Sequence, residues 1–234
     1  MIACVDGANI YSHFERFINS DDYSIRLYNL DSKDQNYSYP SVTSVTALLG
    51  YVGFKIHRNK MLQTCTQAEY DKNSKIITDR GTLVHLVIER FLKDPINYNI
   101  FSEGHVAGTI VRSMMPFLKN IRSIKLQEYV LISHQNKIAG QVDCVAFYNG
   151  KLSIIDFKTS VKRKTKSLVA SYFHQCAAYA ACFEETFEKP IEQLVLIIGI
   201  INEDASQILI EPNTKDSANS FKKLRGQFSN IFKI

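Results

Sequence analysis

Residues 138–160 read IAGQVDCVAFYNGKLSIIDFKTS, two apolar strand patterns joined by Asn149-Gly150, the strongest short hairpin signal a sequence offers. A two-residue turn there pairs Tyr148 with Lys151, and counting back along both strands sets Asp143 directly opposite Asp156. Lys158, two residues on, shares the face of Asp156. Residues 123–133 supply a third strand pattern, closed by a two-residue loop at Gln135-Asn136 or a four-residue loop from His134 to Lys137. Either closure brings Glu128 opposite Asp143.

A row of carboxylates needs a reason, because the Cβ atoms of opposed residues lie about 4.5–5.5 Å apart and like charges so placed repel. A divalent cation with oxygen ligands supplies one. Lys158 beside such an ion is placed to orient or deprotonate water, or to neutralise charge on a phosphate. Val130, Ile132, Val145, Phe147, Leu152 and Ile154 share the acids' face; Leu131, Val142, Cys144, Ala146, Ile155 and Phe157 occupy the other. Both faces are apolar, so the sheet must be covered on both sides. On the residues alone, a solvated strand end with a cross-strand ion pair fits Asp143, Asp156 and Lys158 as well.

Outward from this meander, residues 167–187 predict a long helix, 193–202 a fully buried strand, 205–211 a shorter strand and 214–233 a basic helix. Upstream, DRGTLVHLVIERFL (79–92) is apolar nearly all round and predicts a helix packed on more than one side. His85 within it, by itself, fits a satisfied core histidine better than a ligand. Residues 103–121 predict an amphipathic helix interrupted by Pro116. PSVTSVTALLG, from Pro40, predicts a short helix with Ser41 or Thr43 as N-cap and Gly50 as stop, followed by a polar stretch over 55–77. Residues 1–40, rich in Tyr, Asn, Asp and Ser, predict an irregular or hairpin-forming lobe.

The class is therefore α/β, a central mixed sheet flanked by helices. Residues 1–77 form an N-terminal lobe and helical cover, and residues 78–234 a core with its C-terminal helix, together one compact unit. A chain of 234 residues, 45% hydrophobic, is long enough to bury a substantial core. Its net charge of +5 points only weakly to a polyanion; the cluster Lys162, Arg163, Lys164 and Lys166 says more, although such a run is also an ordinary solvated helix start. Gln175 and Tyr179, at i and i+4, share a helix face, where Tyr179 also fits simple packing. The five cysteines, Cys4, Cys65, Cys144, Cys176 and Cys182, contain no C-x-x-C pair, which supports neither a disulfide framework nor a zinc or iron-sulfur cluster. No apolar run reaches the roughly 18 residues of a membrane helix. Asp6 and Glu15 are unlike a signal or transit peptide, so a soluble intracellular protein is expected.

Taken together, Gly81-x-x-x-His85, Glu128, Gly140-x-x-Asp143, the run Ile154 to Ser160 (IIDFKTS) and Gln175-x-x-x-Tyr179 resemble the RecB-like branch of the PD-(D/E)XK nuclease superfamily. The match covers residues 78–200, and YPSVTSVTALLG upstream is similar to the mitochondrial genome maintenance exonucleases and their phage relatives. The resemblance implies a metal-dependent exonuclease that digests DNA with single-stranded ends in replication or repair, using Mg²⁺ or Mn²⁺ and no iron-sulfur cluster. His85, Asp143, Asp156 and the Phe157 carbonyl would bind metal. Lys158 would be catalytic, and Glu128 catalytic or structural. Gln175, Tyr179, Ser160, Lys162, Arg163, Lys164 and Arg80 would contact DNA, with Tyr37, Tyr39 and Tyr51 placed to stack on bases. The competing expectations are an endonuclease on duplex or flap DNA and a non-catalytic DNA-binding subunit. With no P-loop in the sequence, any unwinding partner would be a separate replication or recombination protein. The host cytoplasm suits a phage or viral chain, the mitochondrion a piece of an organellar one.

Overall fold

Asn149 and Gly150 both adopt left-handed backbone, with φ of 49° and 80°, which only a tight mirror-image turn requires. They join β5 (Ile138–Tyr148) to β6 (Lys151–Ser160), with Tyr148 paired to Lys151 as counted from the sequence. The computed structural model describes residues 9–17, 24–31, 36–103, 106–203 and 205–233. β4 (Ile121–Ser133) closes on β5 through the four residues His134 to Lys137. Glu185 holds that loop by accepting the N–H groups of His134 and Gln135 at 3.0 and 3.3 Å. β6 runs parallel to β7 (Gln193–Ile200), and β8 (Ser206–Glu211) completes a mixed five-stranded sheet in the order β4-β5-β6-β7-β8.

Both faces of this sheet are covered, as its apolar composition demands. α5 (Ala170–Phe187), α6 (Thr214–Phe232) and the short α1 (Val42–Ala47) pack with Val145, Ile154 and Leu196 on one face. The C-terminal part of α3 (Gln67–Lys93) and α4 (Val106–Leu118) cover Cys144, Ile155 and Phe157 on the other. Leu131 and Val142, expected with Cys144, pack instead with Val145. Strict alternation fails there because Glu128, which falls in register between the Val142 and Cys144 pairs, has a left-handed φ of 46° and interrupts the pleat.

The N-terminal lobe is ordered as an antiparallel sheet of β1 (Asn9–Phe17), β2 (Ser24–Asp31) and β3 (Asn36–Pro40). Gly50 does not stop the helix that begins after Ser41. Its backbone stays right-handed, and α2 (Tyr51–Met61) follows directly. The polar stretch 55–77 is helical too, since α3 begins twelve residues before the expected Asp79, at Gln67. Thr66 and Glu69 form a reciprocal capping box, and Gln67–Asp71 and Lys75–Asp79 hydrogen bonds of 2.7 and 3.1 Å support the exposed turns.

Candidate active site

α3 sets Thr78, Thr82 and His85 on one helical stripe facing the end of the sheet. His85 Nε2 lies 3.0 Å from the Phe157 carbonyl oxygen. Its Nδ1 lies 3.6 Å from both Glu128 Oε1 and Asp143 Oδ1. The left-handed backbone at Glu128 aims that carboxylate at the imidazole, and Gln141 Nε2 donates to its other oxygen at 2.7 Å. Asp143 Oδ2 accepts the Phe157 N–H at 2.8 Å. This bond replaces a flat acid-to-acid pairing, because the β5–β6 ladder ends one step earlier, at Cys144 and Ile155.

Asp156 is 1% exposed. Both of its oxygens lie against Lys158 Nζ, Oδ1 accepting a hydrogen bond at 2.6 Å and Oδ2 standing 2.5 Å away, so the carboxylate and the ammonium form a close pair. Burial pushes the Asp156 carboxyl up, with Lys158 pulling it back and Asp143 adding to the rise. Burial opposes the charged form of His85, but Asp143 and Glu128 outweigh it and raise the imidazole to about 9. His85, Glu128 and Asp143 offer ligand atoms that all lie within 4.8 Å of one another, a set able to hold a metal ion. Asp156 stands outside that trio, turned to Lys158.

His85, Glu128, Asp143 and Lys158 open on a cavity of about 520 Å³, also lined by Arg26, Tyr28, Ser41, Thr43, Gly140, Gln175 and Tyr179. Gln175 Nε2 donates to the Tyr179 hydroxyl at 3.4 Å. Of the other expected DNA contacts, Arg80, Ser160, Lys162, Arg163 and Lys164 line none of this cavity. The Ser160 hydroxyl donates to the Lys162 carbonyl at 2.6 Å and fixes a turn. Arg163 lies 3.5 Å from Glu203, and the Lys164 N–H binds Gln207. Tyr39 is buried with its hydroxyl 3.0 Å from His134 Nδ1, and Tyr37 packs on the same imidazole, so both serve the β4–β5 hairpin. Arg26, Tyr28, Thr78, Thr82 and Gln141 line the cavity without having been singled out. The i, i+4, i+7 spacing of Thr78, Thr82 and His85 was the available signal.

Carboxylates, a half-buried lysine and an imidazole converging on the end of a mixed sheet define a hydrolytic core of the nuclease type. Residues 110–232 match the family described as the PD-(D/E)XK nuclease superfamily, and the chain belongs to it. That span holds Glu128, Asp143, Asp156, Lys158, Gln175 and Tyr179, with His85 upstream of it. The chain is 30% identical over 138 residues to mouse (Mus musculus) mitochondrial genome maintenance exonuclease 1, covering 59% of this chain and 35% of that protein. It is 26% identical over 127 residues to the human (Homo sapiens) protein of the same name, covering 54% and 32%. The matched region thus spans about a third of the length of these relatives. The crystal structure of SSO0001 aligns at a TM-score of 0.42 and 19% identity, covering 82% of this chain and 75% of that one. Among the described residues no helix is long and apolar enough to cross a membrane.

Proposed function

We propose that this protein is a divalent-metal-dependent exonuclease that hydrolyses phosphodiester bonds in DNA with single-stranded ends, in replication or repair. The observation that carries this reading is the juxtaposition, in one cavity, of the His85, Glu128 and Asp143 ligand atoms with Lys158, which the buried Asp156 holds from behind. The mouse and human relatives, mitochondrial genome maintenance exonucleases by name, favour the same reading.

Mg²⁺ or Mn²⁺ would be held by His85, Asp143 and Asp156 with the Phe157 carbonyl, Glu128 orienting His85 or joining the ligands. When bound, the ion supplies charge stabilisation at the scissile phosphate and an acidified water. The residues prepare this. Asp143 is fixed by the Phe157 N–H, His85 already faces the Phe157 carbonyl, and Lys158 is held charged beside the position where phosphate charge builds. Gln175 and Tyr179 wall the cavity where DNA would lie. Residues 1–77 act as the cover over a core of 78–234.

The test uses end-labelled single-stranded, duplex and covalently closed circular DNA, with Mg²⁺, Mn²⁺ or EDTA, beside Asp156→Asn and Lys158→Ala. Metal-dependent loss of linear single strands, sparing circles and absent in both variants, is the expected result. Cleavage of circles would make it an endonuclease. DNA binding without cleavage under either metal would make it a non-catalytic subunit.

A further inference from the structure

We propose that Arg26, contributed by the N-terminal sheet, binds a phosphate of the DNA strand in the cavity, a role that rests on the nuclease reading above. β2 alternates as a strand should: Ile25 and Leu27 are buried in the core, while Arg26 and Tyr28 line the cavity. The Arg26 backbone is held on both sides. Its N–H donates to Ser44 Oγ at 2.9 Å, and its carbonyl accepts the Ser41 N–H at 2.8 Å. The start of α1 therefore fixes the residue where its exposed side chain lines the same cavity as His85, Glu128, Asp143 and Lys158.

The charges on the cavity wall decide what that side chain is for. Lys158 is engaged by Asp156, and His85 stands between Glu128 and Asp143. Arg26 shares no ion pair with the carboxylates of this wall, since Glu128 and Asp143 stand against His85 and Asp156 against Lys158. It is thus the cation of this wall left for an incoming anion, and its planar fork matches two non-bridging phosphate oxygens, which a lysine ammonium cannot do.

The experiment compares wild type, Arg26→Gln and Arg26→Lys, as full chains, on a single-stranded oligonucleotide with Mg²⁺. Hydrogen bonds to a charged group lead us to expect a KM raised roughly 10–100-fold in Arg26→Gln, with kcat little changed. Arg26→Lys should fall between, and it keeps the test valid if the glutamine variant folds poorly. Oligonucleotides carrying one methylphosphonate, and ends with or without a 5′-phosphate, then locate the contact. Wild type should lose affinity when one phosphate is neutralised, and Arg26→Gln should be indifferent at that same position. Sensitivity at an internal linkage assigns a phosphodiester, and sensitivity at the end assigns a terminal phosphate. An unchanged KM in Arg26→Gln, or equal methylphosphonate penalties in both proteins, overturns the proposal while a cleaving wild type preserves the nuclease reading. A wild type that neither cleaves nor binds DNA overturns both.

Discussion

At Gly140 the strand passes so close to α5 that an added Cβ would stand 3.0 Å from Tyr179 Cε1 and 3.3 Å from Val42 Cβ. Both neighbours are buried, so neither yields freely. Gly140→Ala should cost about 1–3 kcal/mol in chemical denaturation and slow cleavage by displacing Tyr179; a variant with wild-type midpoint and rate would show that the contact relaxes harmlessly. The Asp156–Lys158 pair offers a second residue-scale outcome. Removing one partner of a buried pair strands the other's charge, at about 3–5 kcal/mol; with the lysine side chain 21% exposed, Lys158→Met belongs at the low end. Adding Asp156→Asn should restore most of that stability and no activity, and a double variant less stable than Lys158→Met would refute the stranded-charge account. Asp143, Asp156 and Lys158 are legible in the sequence because a turn position and a period of two suffice to bring them together. Gln141, two residues before Asp143 on β5 and bonded to Glu128 across the same hairpin, is open to the same counting, whereas Arg26 is not, since its relation to the site passes through tertiary contacts that no local pattern encodes.

The helices show where legibility ends and why. α3 buries Val84, Val87, Ile88, Phe91 and Leu92, and nothing before Val84. Its C-terminal half announces itself by periodicity, whereas its first half and all of α2, which has no buried residue, lack the apolar stripe that periodicity detects. What holds those turns is capping and polar side-chain pairing, worth only about 0.2–0.5 kcal/mol per pair. Amide hydrogen exchange should therefore be fast over 67–80 and slow over 84–92. Thr66→Ala removes one half of the capping box, at about 1 kcal/mol, and should speed exchange in the first half of α3 while leaving the global melting temperature nearly unchanged. Equal protection along the whole helix would mean that the exposed turns are packed against something. The strands, by contrast, follow the two turns that frame them, except where the register shifts between Arg122 and Leu126 and at Glu128, where a left-handed residue interrupts the pleat and the counting loses the faces of Leu131 and Val142.

For the whole molecule, the site couples stability to pH and metal in a way whose sign is fixed. Folding raises His85 from 6.5 to about 9, so its contribution is fully present below pH 6.5 and is lost as pH rises through 9. Asp156 is also raised, by burial; a carboxyl favoured in its neutral form contributes only at low pH, and its ionisation is already a fixed penalty at pH 7. Without metal, the protein should thus become less stable from pH 6.5 to 9. With the proposed ligands a divalent ion should reverse the trend, because it would require the deprotonated imidazole and compensate the two buried carboxylates. At 100 times its Kd it adds about 2.7 kcal/mol, roughly 5–10 °C for a chain of this size. The difference between melting temperatures in Mg²⁺ and in EDTA should therefore widen from pH 6.5 to 9, and metal uptake in an unbuffered titration should release a proton. In His85→Gln the widening and the proton release should both disappear, with a smaller metal effect remaining from the carboxylates. A Mg²⁺ effect that is the same at both pH values in the wild type would remove His85 from the ligand set and leave it as the residue that orients Glu128 and Asp143.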